Sequence, residues 1–203
     1  MAAAAAVLAL VPAAAASAHP LGNFTVNHHD GLVLTPDAVL LTAVIDRAEI
    51  PAAQALQEIA PDGPPAEDRL AEAAAAECAV LAREVRLTVD GAAVAWTVET
   101  TGMELPPGAA NLPTMRLTCG LRAEVNLSAP ATVAFRDEYL SGPVGWREIT
   151  ADGDGVRLLD SPVPVASPTD ELRTYPEDLL ASPLDVRSFE VATEPGENTA
   201  AGA

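Results

Sequence analysis

Val85-Arg86-Leu87-Thr88-Val89-Asp90-Gly91-Ala92-Ala93-Val94-Ala95-Trp96-Thr97-Val98 is the stretch that decides the fold class. Two strand-prone runs, Val85–Val89 and Val94–Val98, flank Asp90-Gly91, a dipeptide that closes two-residue hairpins because both residues tolerate positive φ. Toward the carboxyl end the pattern recurs at Met115–Leu121, Val125–Leu127, Thr132–Phe135, Trp146–Thr150 and Val156–Leu159, with Asp152-Gly153-Asp154-Gly155 as the turn between the last two. The aspartates of that turn lack the downstream glutamate of a calcium loop. Toward the amino end, Leu70, Ala74, Cys78 and Leu81 recur at helical spacing within an Ala- and Glu-rich segment, so a helix is expected over about 66–85 with Cys78 on its core face. Pro61-Asp62-Gly63-Pro64-Pro65 breaks the chain before it. A second, short helix is expected where Ile50-Pro51 places proline in a first turn, with Leu56 and Ile59 on one face. Ala38–Ile45 reads as a long strand, and Phe24–His28 and Leu32–Leu34 as a hairpin turning at Asp30-Gly31. Short strands at this spacing predict a mainly β protein, an antiparallel immunoglobulin-like β-sandwich with one inserted helix.

The ends differ from this body. Residues 1–18, MAAAAAVLALVPAAAASA, are apolar and uncharged and finish in Ala16-Ser17-Ala18, the small-x-small pattern that a signal peptidase accepts. Cleavage there leaves His19 first and implies an exported, extracytoplasmic domain. The sandwich is expected over 19–191. Within it Ser161-Pro162-Val163-Pro164 and Ser167-Pro168 are extended, and Val186–Val191 reads as a last strand. Residues 192–203 are expected to form a disordered tail or a linker to a membrane part. Cys78 and Cys119 have no C-x-x-C spacing, and in an exported chain a disulfide is their simplest pairing.

The chain carries 29 acidic residues against 11 basic ones, all of them arginine, for a formal charge of −18. That balance excludes nucleic-acid binding, which needs clustered cations to displace counterions from phosphate. Serine has no histidine partner outside the amino-terminal region, so a Ser-His-Asp hydrolase lacks its base, and no catalysis is expected. Asp46 and Glu49 flank Arg47 and read as partners in a surface ion pair. Trp96 and Trp146 sit in strand patterns, where core packing is expected.

All 3 histidines fall within the first 11 residues of the processed chain: His19, His28 and His29. An amino-terminal histidine is a chelating unit, because its α-amine and imidazole Nδ1 can hold one ion together. Pro20 has no N–H, so the second residue's amide offers no anionic nitrogen and the amine-imidazole grip remains. Nitrogen donors suit Ni(II), Cu(II) and Zn(II). His28 and His29 alternate across a strand, so at most one is expected to join His19, and Asp30 is a carboxylate candidate or the turn residue before Gly31.

His19-Pro20-Leu21-Gly22-Asn23-Phe24-Thr25-Val26-Asn27-His28, then Asp30-Gly31-Leu32, Ala48-Glu49-Ile50-Pro51, Gly145-Trp146-Arg147-Glu148-Ile149 and Ser182-Pro183-Leu184-Asp185-Val186-Arg187 resemble the extracytoplasmic amino-terminal region of actinobacterial nickel/cobalt transporter-type membrane proteins. The resemblance spans nearly the whole processed chain and is most specific in its opening run. It implies a soluble module that handles nickel or cobalt outside the membrane, with a membrane permease as partner and His19 and His28 as the ligands. Two other readings stay open. One is a structural or interaction sandwich that covers a permease without binding metal. The other is a copper-binding carrier or oxidase with an amino-terminal histidine site, for which 3% aromatic residues offer little platform for a polysaccharide.

Overall fold

The computed structural model describes residues 19–197, so the expected signal segment lies outside the described residues. Among the described residues, ten strands form two five-stranded sheets. They are β1 (Val26–Leu34), β2 (Ala38–Arg47), β3 (Val85–Val89), β4 (Ala92–Val94), β5 (Thr97–Glu104), β6 (Met115–Glu124), β7 (Ala131–Asp137), β8 (Arg147–Gly153), β9 (Val156–Leu159) and β10 (Ser188–Pro195). The first sheet has the order β5-β6-β2-β1-β8 and the second β4-β3-β7-β10-β9. The expected sandwich is the observed one, with all pairs antiparallel except β1–β8, which run parallel. Leu32, Leu41, Leu117 and Leu121 of the first sheet share one buried cluster with Leu87, Val133, Phe135 and Val191 of the second.

Both expected helices form. Helix α1 (Glu49–Ile59) holds Pro51 in its first turn, and α2 (Glu67–Glu84) buries Ala74, Cys78 and Leu81. The α2 face lies on β5 and β6, where Cys78 is bonded to Cys119 of β6 with Cα atoms 5.6 Å apart. One disulfide thus ties helix to sheet, as the spacing suggested.

Four expectations change, the first being Val125–Leu127, which follows β6 outside any strand and is held by Val125 N–H to Asp37 O and Leu127 N–H to Pro36 O, both about 3 Å. Asp30-Gly31 is no turn: β1 runs straight through it, and Asp30 pairs with Ala43 of β2 and Ile149 of β8. The hairpin instead closes at Thr35-Pro36-Asp37, where the Thr35 N–H donates to Ala38 O and its hydroxyl to Asp37 Oδ1. Neighbouring strands on both sides fill the ladder of β1, and that tertiary demand outweighs local turn propensity. The run Val94–Val98 also divides. β4 belongs to the second sheet and β5 to the first, so the chain changes sheets at Ala95-Trp96. Finally, β10 pairs with β7 and β9 as far as Pro195, so ordered structure extends past the expected boundary at 191. Residues 198–203 lie outside the described residues.

Between β9 and β10 a strap crosses the outer face of the first sheet. Leu172, Tyr175, Leu179 and Leu184 of the strap pack with Val44, Trp146 and Leu21 in a second, smaller apolar cluster. The first sheet is therefore buried on both faces at this end.

Closing a loop of 41 positions removes about 4 kcal/mol of denatured-state entropy. Reducing Cys78–Cys119, or replacing both by alanine, is expected to lower unfolding stability by about that amount. An equilibrium denaturant titration with and without reductant measures the loss.

Candidate functional site

Strand alternation sorts His28, His29 and Asp30, with Asn27 beside them on β1, onto two faces. Asn27 and His29 point to the outer face, under the strap, while His28 and Asp30 point between the sheets. Asp46 is the register partner of Asn27, so it also faces outward.

His19 lies on the outer side at 9% exposure. Its Nε2 is 3.1 Å from Asp46 Oδ2 and 3.1 Å from Asn27 Nδ2, and its Nδ1 is 3.4 Å from the Thr25 hydroxyl. The Asn27 amide is oriented by Trp146, whose N–H donates to Oδ1 at 2.8 Å. Its Nδ2 therefore points to His19, with the Asp46 carbonyl 3.3 Å away as its acceptor. An Nε2–H tautomer of His19 then donates to Asp46, and the Thr25 hydroxyl near Nδ1 sends its one proton to the Gly22 carbonyl at 3.0 Å, which leaves the Nδ1 lone pair available. His19 and Asp46 line a cleft of about 490 Å³ whose wall also includes Glu104, Arg116 and Tyr175.

His29 donates from Nδ1 to Glu148 Oε1 at 2.9 Å. The Ser167 and Thr169 hydroxyls reach the same oxygen at 2.6 and 2.9 Å, and Trp146 Nε1–H reaches Oε2 at 2.7 Å. Burial pushes the Glu148 carboxyl up, but donation from His29, Ser167, Trp146 and Thr169 outweighs it and holds the pKa below the ordinary value. A Cβ on Gly31 would stand 3.0 Å from His29 Nε2, so a larger residue there would press on the ring.

His28 is in a different environment. Its Nδ1 meets Asp137 Oδ2 at 2.8 Å, and the same oxygen lies 3.4 Å from Arg147 Nη1. Burial drives the His28 imidazole below its ordinary pKa despite Asp137. The Asp30 carboxyl is raised well above its ordinary value by burial and by the charge of Asp137. His28 Nε2 and Asp30 Oδ1 are buried with no hydrogen-bond partner among the described residues.

The structure does not bring His19 and His28 together: the two rings lie on opposite sides of the first sheet and meet different carboxylates. Asp30 is likewise turned away from His19. Among the described residues no three His, Cys, Asp or Glu side chains are grouped to hold a metal ion. Were His19 the processed terminus expected from the sequence, its α-amine would add a donor that is not a side chain. One imidazole with a free Nδ1, steadied by a carboxylate on its other nitrogen, fits the donor chemistry of a borderline divalent ion.

The sequence reading missed Asp137, Glu148 and Arg147, which lie more than 100 positions from the histidines they serve. It also misassigned Arg47. That guanidinium is 8% exposed and pairs with Glu77 of α2 at 2.6 Å, while Asp46 faces His19 and Glu49 receives the Ala109 N–H. The register Asn27↔Asp46 carried the missing signal, but only once the hairpin turn is placed at Thr35–Asp37.

Comparison with known protein families, curated proteins and solved structures finds no match. No helix among the described residues is long and apolar enough to cross a membrane.

Two consequences can be measured. A depressed carboxylate stabilises the fold above its unfolded pKa, here about 4.5, and that contribution disappears as pH falls through the lower folded value. Glu148→Gln cannot accept from all four donors, and is expected to cost about 3 kcal/mol at pH 7 and to flatten the acid limb of the stability profile. Asp30 has the opposite sign: its raised pKa penalises folding once pH exceeds about 3.9. Asp30→Asn is therefore expected to raise the melting temperature at pH 7 and to lose that advantage at pH 3.

Proposed function

We propose that this chain is an exported module of a nickel- or cobalt-handling transport system, and that its processed amino terminus captures the divalent ion for a membrane permease. The observation that carries this reading is the setting of His19. Its ring is held by Asp46 through Nε2 at the wall of an open cleft, which leaves Nδ1 for an amine-imidazole chelate. The resemblance of the opening His19–His28 run to transporter-type proteins supports the choice of nickel or cobalt; Cu(II) and Zn(II) suit the same nitrogens. Two protein nitrogens leave coordination positions for water or for the next carrier. Such a site suits ion transfer better than a closed structural site does. His29, on the same face, serves through Glu148 to hold the strap beside the cleft.

A second reading is favoured by Phe24 and Val144, which are 67% and 73% exposed. The backbone hydrogen bond from Val26 N–H to Val144 O brings their segments together at one end of the sandwich. On this reading the module covers the outer face of a permease through that apolar pair and binds no ion.

Calorimetric titration of the chain beginning at His19 with Ni(II), Co(II), Cu(II) and Zn(II) separates the two. Binding is expected in the wild type, with affinity about 10-fold lower in Asp46→Asn and lost in His19→Ala. Equal affinity in wild type and His19→Ala overturns the metal reading, and an intact fold with no bound ion supports the covering module.

A further inference from the structure

Glu49, the first residue of α1, is 2% exposed. Its Oε1 accepts the Ala109 N–H at 2.8 Å, while its Oε2 is buried with no hydrogen-bond partner among the described residues. A buried carboxylate oxygen without a donor is costly, and such a group implies a ligand or a partner. The loop carrying Gly108 closes over it: a Cβ on Gly108 would stand 3.0 Å from both Glu49 Cγ and Oε1.

A donor brought close in space, though 30 positions away in the chain, is the nitrogen of His19. Residues 19–25 lie along the start of α1, fixed by Ile50 N–H to Asn23 O and Ala48 N–H to Thr25 O, both 3.0 Å, and by the Gly22 N–H to His19 O turn. Burial pushes the Glu49 carboxyl up, but the Ala109 N–H, its own backbone N–H and then the charge and backbone N–H of His19 hold it below its ordinary value. Before cleavage this nitrogen is a neutral amide with one proton. Signal peptidase cleavage adds water across the Ala18–His19 bond: Ala18 leaves with the oxygen as a carboxylate, and the His19 nitrogen gains protons to become an α-ammonium with three donors.

We propose that Glu49 is the receptor for the processed amino terminus, and that the α-ammonium of His19 pairs with the unpartnered Oε2 to lock residues 19–25 onto α1. Removal of the leader thus completes the fold as well as releasing the chain. The inference rests on the same cleavage before His19 that the metal reading uses, but it needs no ion. The α-ammonium docks on Glu49, and the free amine is the form that chelates.

The sequence has no lysine, so the α-amine is the sole primary amine of the processed chain. Amine acylation therefore reads this one group. In EDTA, the chain beginning at His19 is expected to acylate about tenfold more slowly than its Glu49→Gln variant, as expected for a buried charge-assisted pair. A chain that retains Ala18 is expected to melt at a lower temperature than the processed chain. If Glu49→Gln fails to fold, that comparison carries the test alone. Equal acylation rates, or equal melting with and without Ala18, overturn the proposal. Because EDTA is present throughout, failure here leaves the metal titration standing. Loss of metal binding with docking intact would overturn only the metal reading.

Discussion

Glu148 is the interaction on which the rest of this structure depends. Its carboxylate is 2% exposed, and it gathers His29 from β1, Trp146 at the start of β8, and Ser167 and Thr169 from the strap. An ionised carboxylate out of water loses several kcal/mol of hydration, and only a full set of charge-assisted donors restores it. Here the donors come from three segments distant in sequence. Satisfying one charge therefore fixes the parallel strand pair and the path of the strap together. The hydroxyl of Thr169 also accepts the Leu172 N–H at 2.8 Å, which passes the constraint to the turn where Asp170, Glu171 and Leu172 adopt positive φ.

The strap explains why a sheet rich in polar residues is buried on both sides. Between the sheets the contacts are mostly aliphatic, but toward the end nearest β8 they give way to His28, Asp30, Asp137 and Arg147. On the outer face Val44, Trp146 and Leu172 alternate with Asn27, His29 and Glu148. Each histidine has a carboxylate of its own, and the three pairs do not share atoms. This arrangement satisfies imidazoles at fixed orientation without merging them into one centre. It also places His19 beside the cleft while the other two serve the fold.

Much of the architecture was legible in the sequence because it rests on local signals. Turn dipeptides such as Asp90-Gly91, the helical face of Leu70, Ala74, Cys78 and Leu81, and the spacing of strand-prone runs each report on structure within a few residues. The failures have one cause: a local signal met a long-range demand. Asp30-Gly31 has turn chemistry, yet ladders from β2 and β8 keep it extended. Asp46, Arg47 and Glu49 look like one ion-pair group along the chain, yet the pleat and the start of α1 send them to three different partners. The site was half legible. Alternation correctly separated His28 from His29 across β1. Which of them shares a face with His19 depended on the seating of the amino-terminal segment, and that is set by register with β2 and by residues near 146.

The parallel pairing of β1 with β8 carries a kinetic consequence. β1 and β2 close a local hairpin, but the other edge of β1 stays open until residues 147–153 have been made. A growing chain therefore presents an unpaired strand edge, with His28 and His29 uncapped, through more than half of its synthesis. The closing contact has high sequence separation, which slows the final step. The first segment to emerge is among the last to be finished. Shielding that open strand edge during the interval would favour folding over edge-to-edge aggregation.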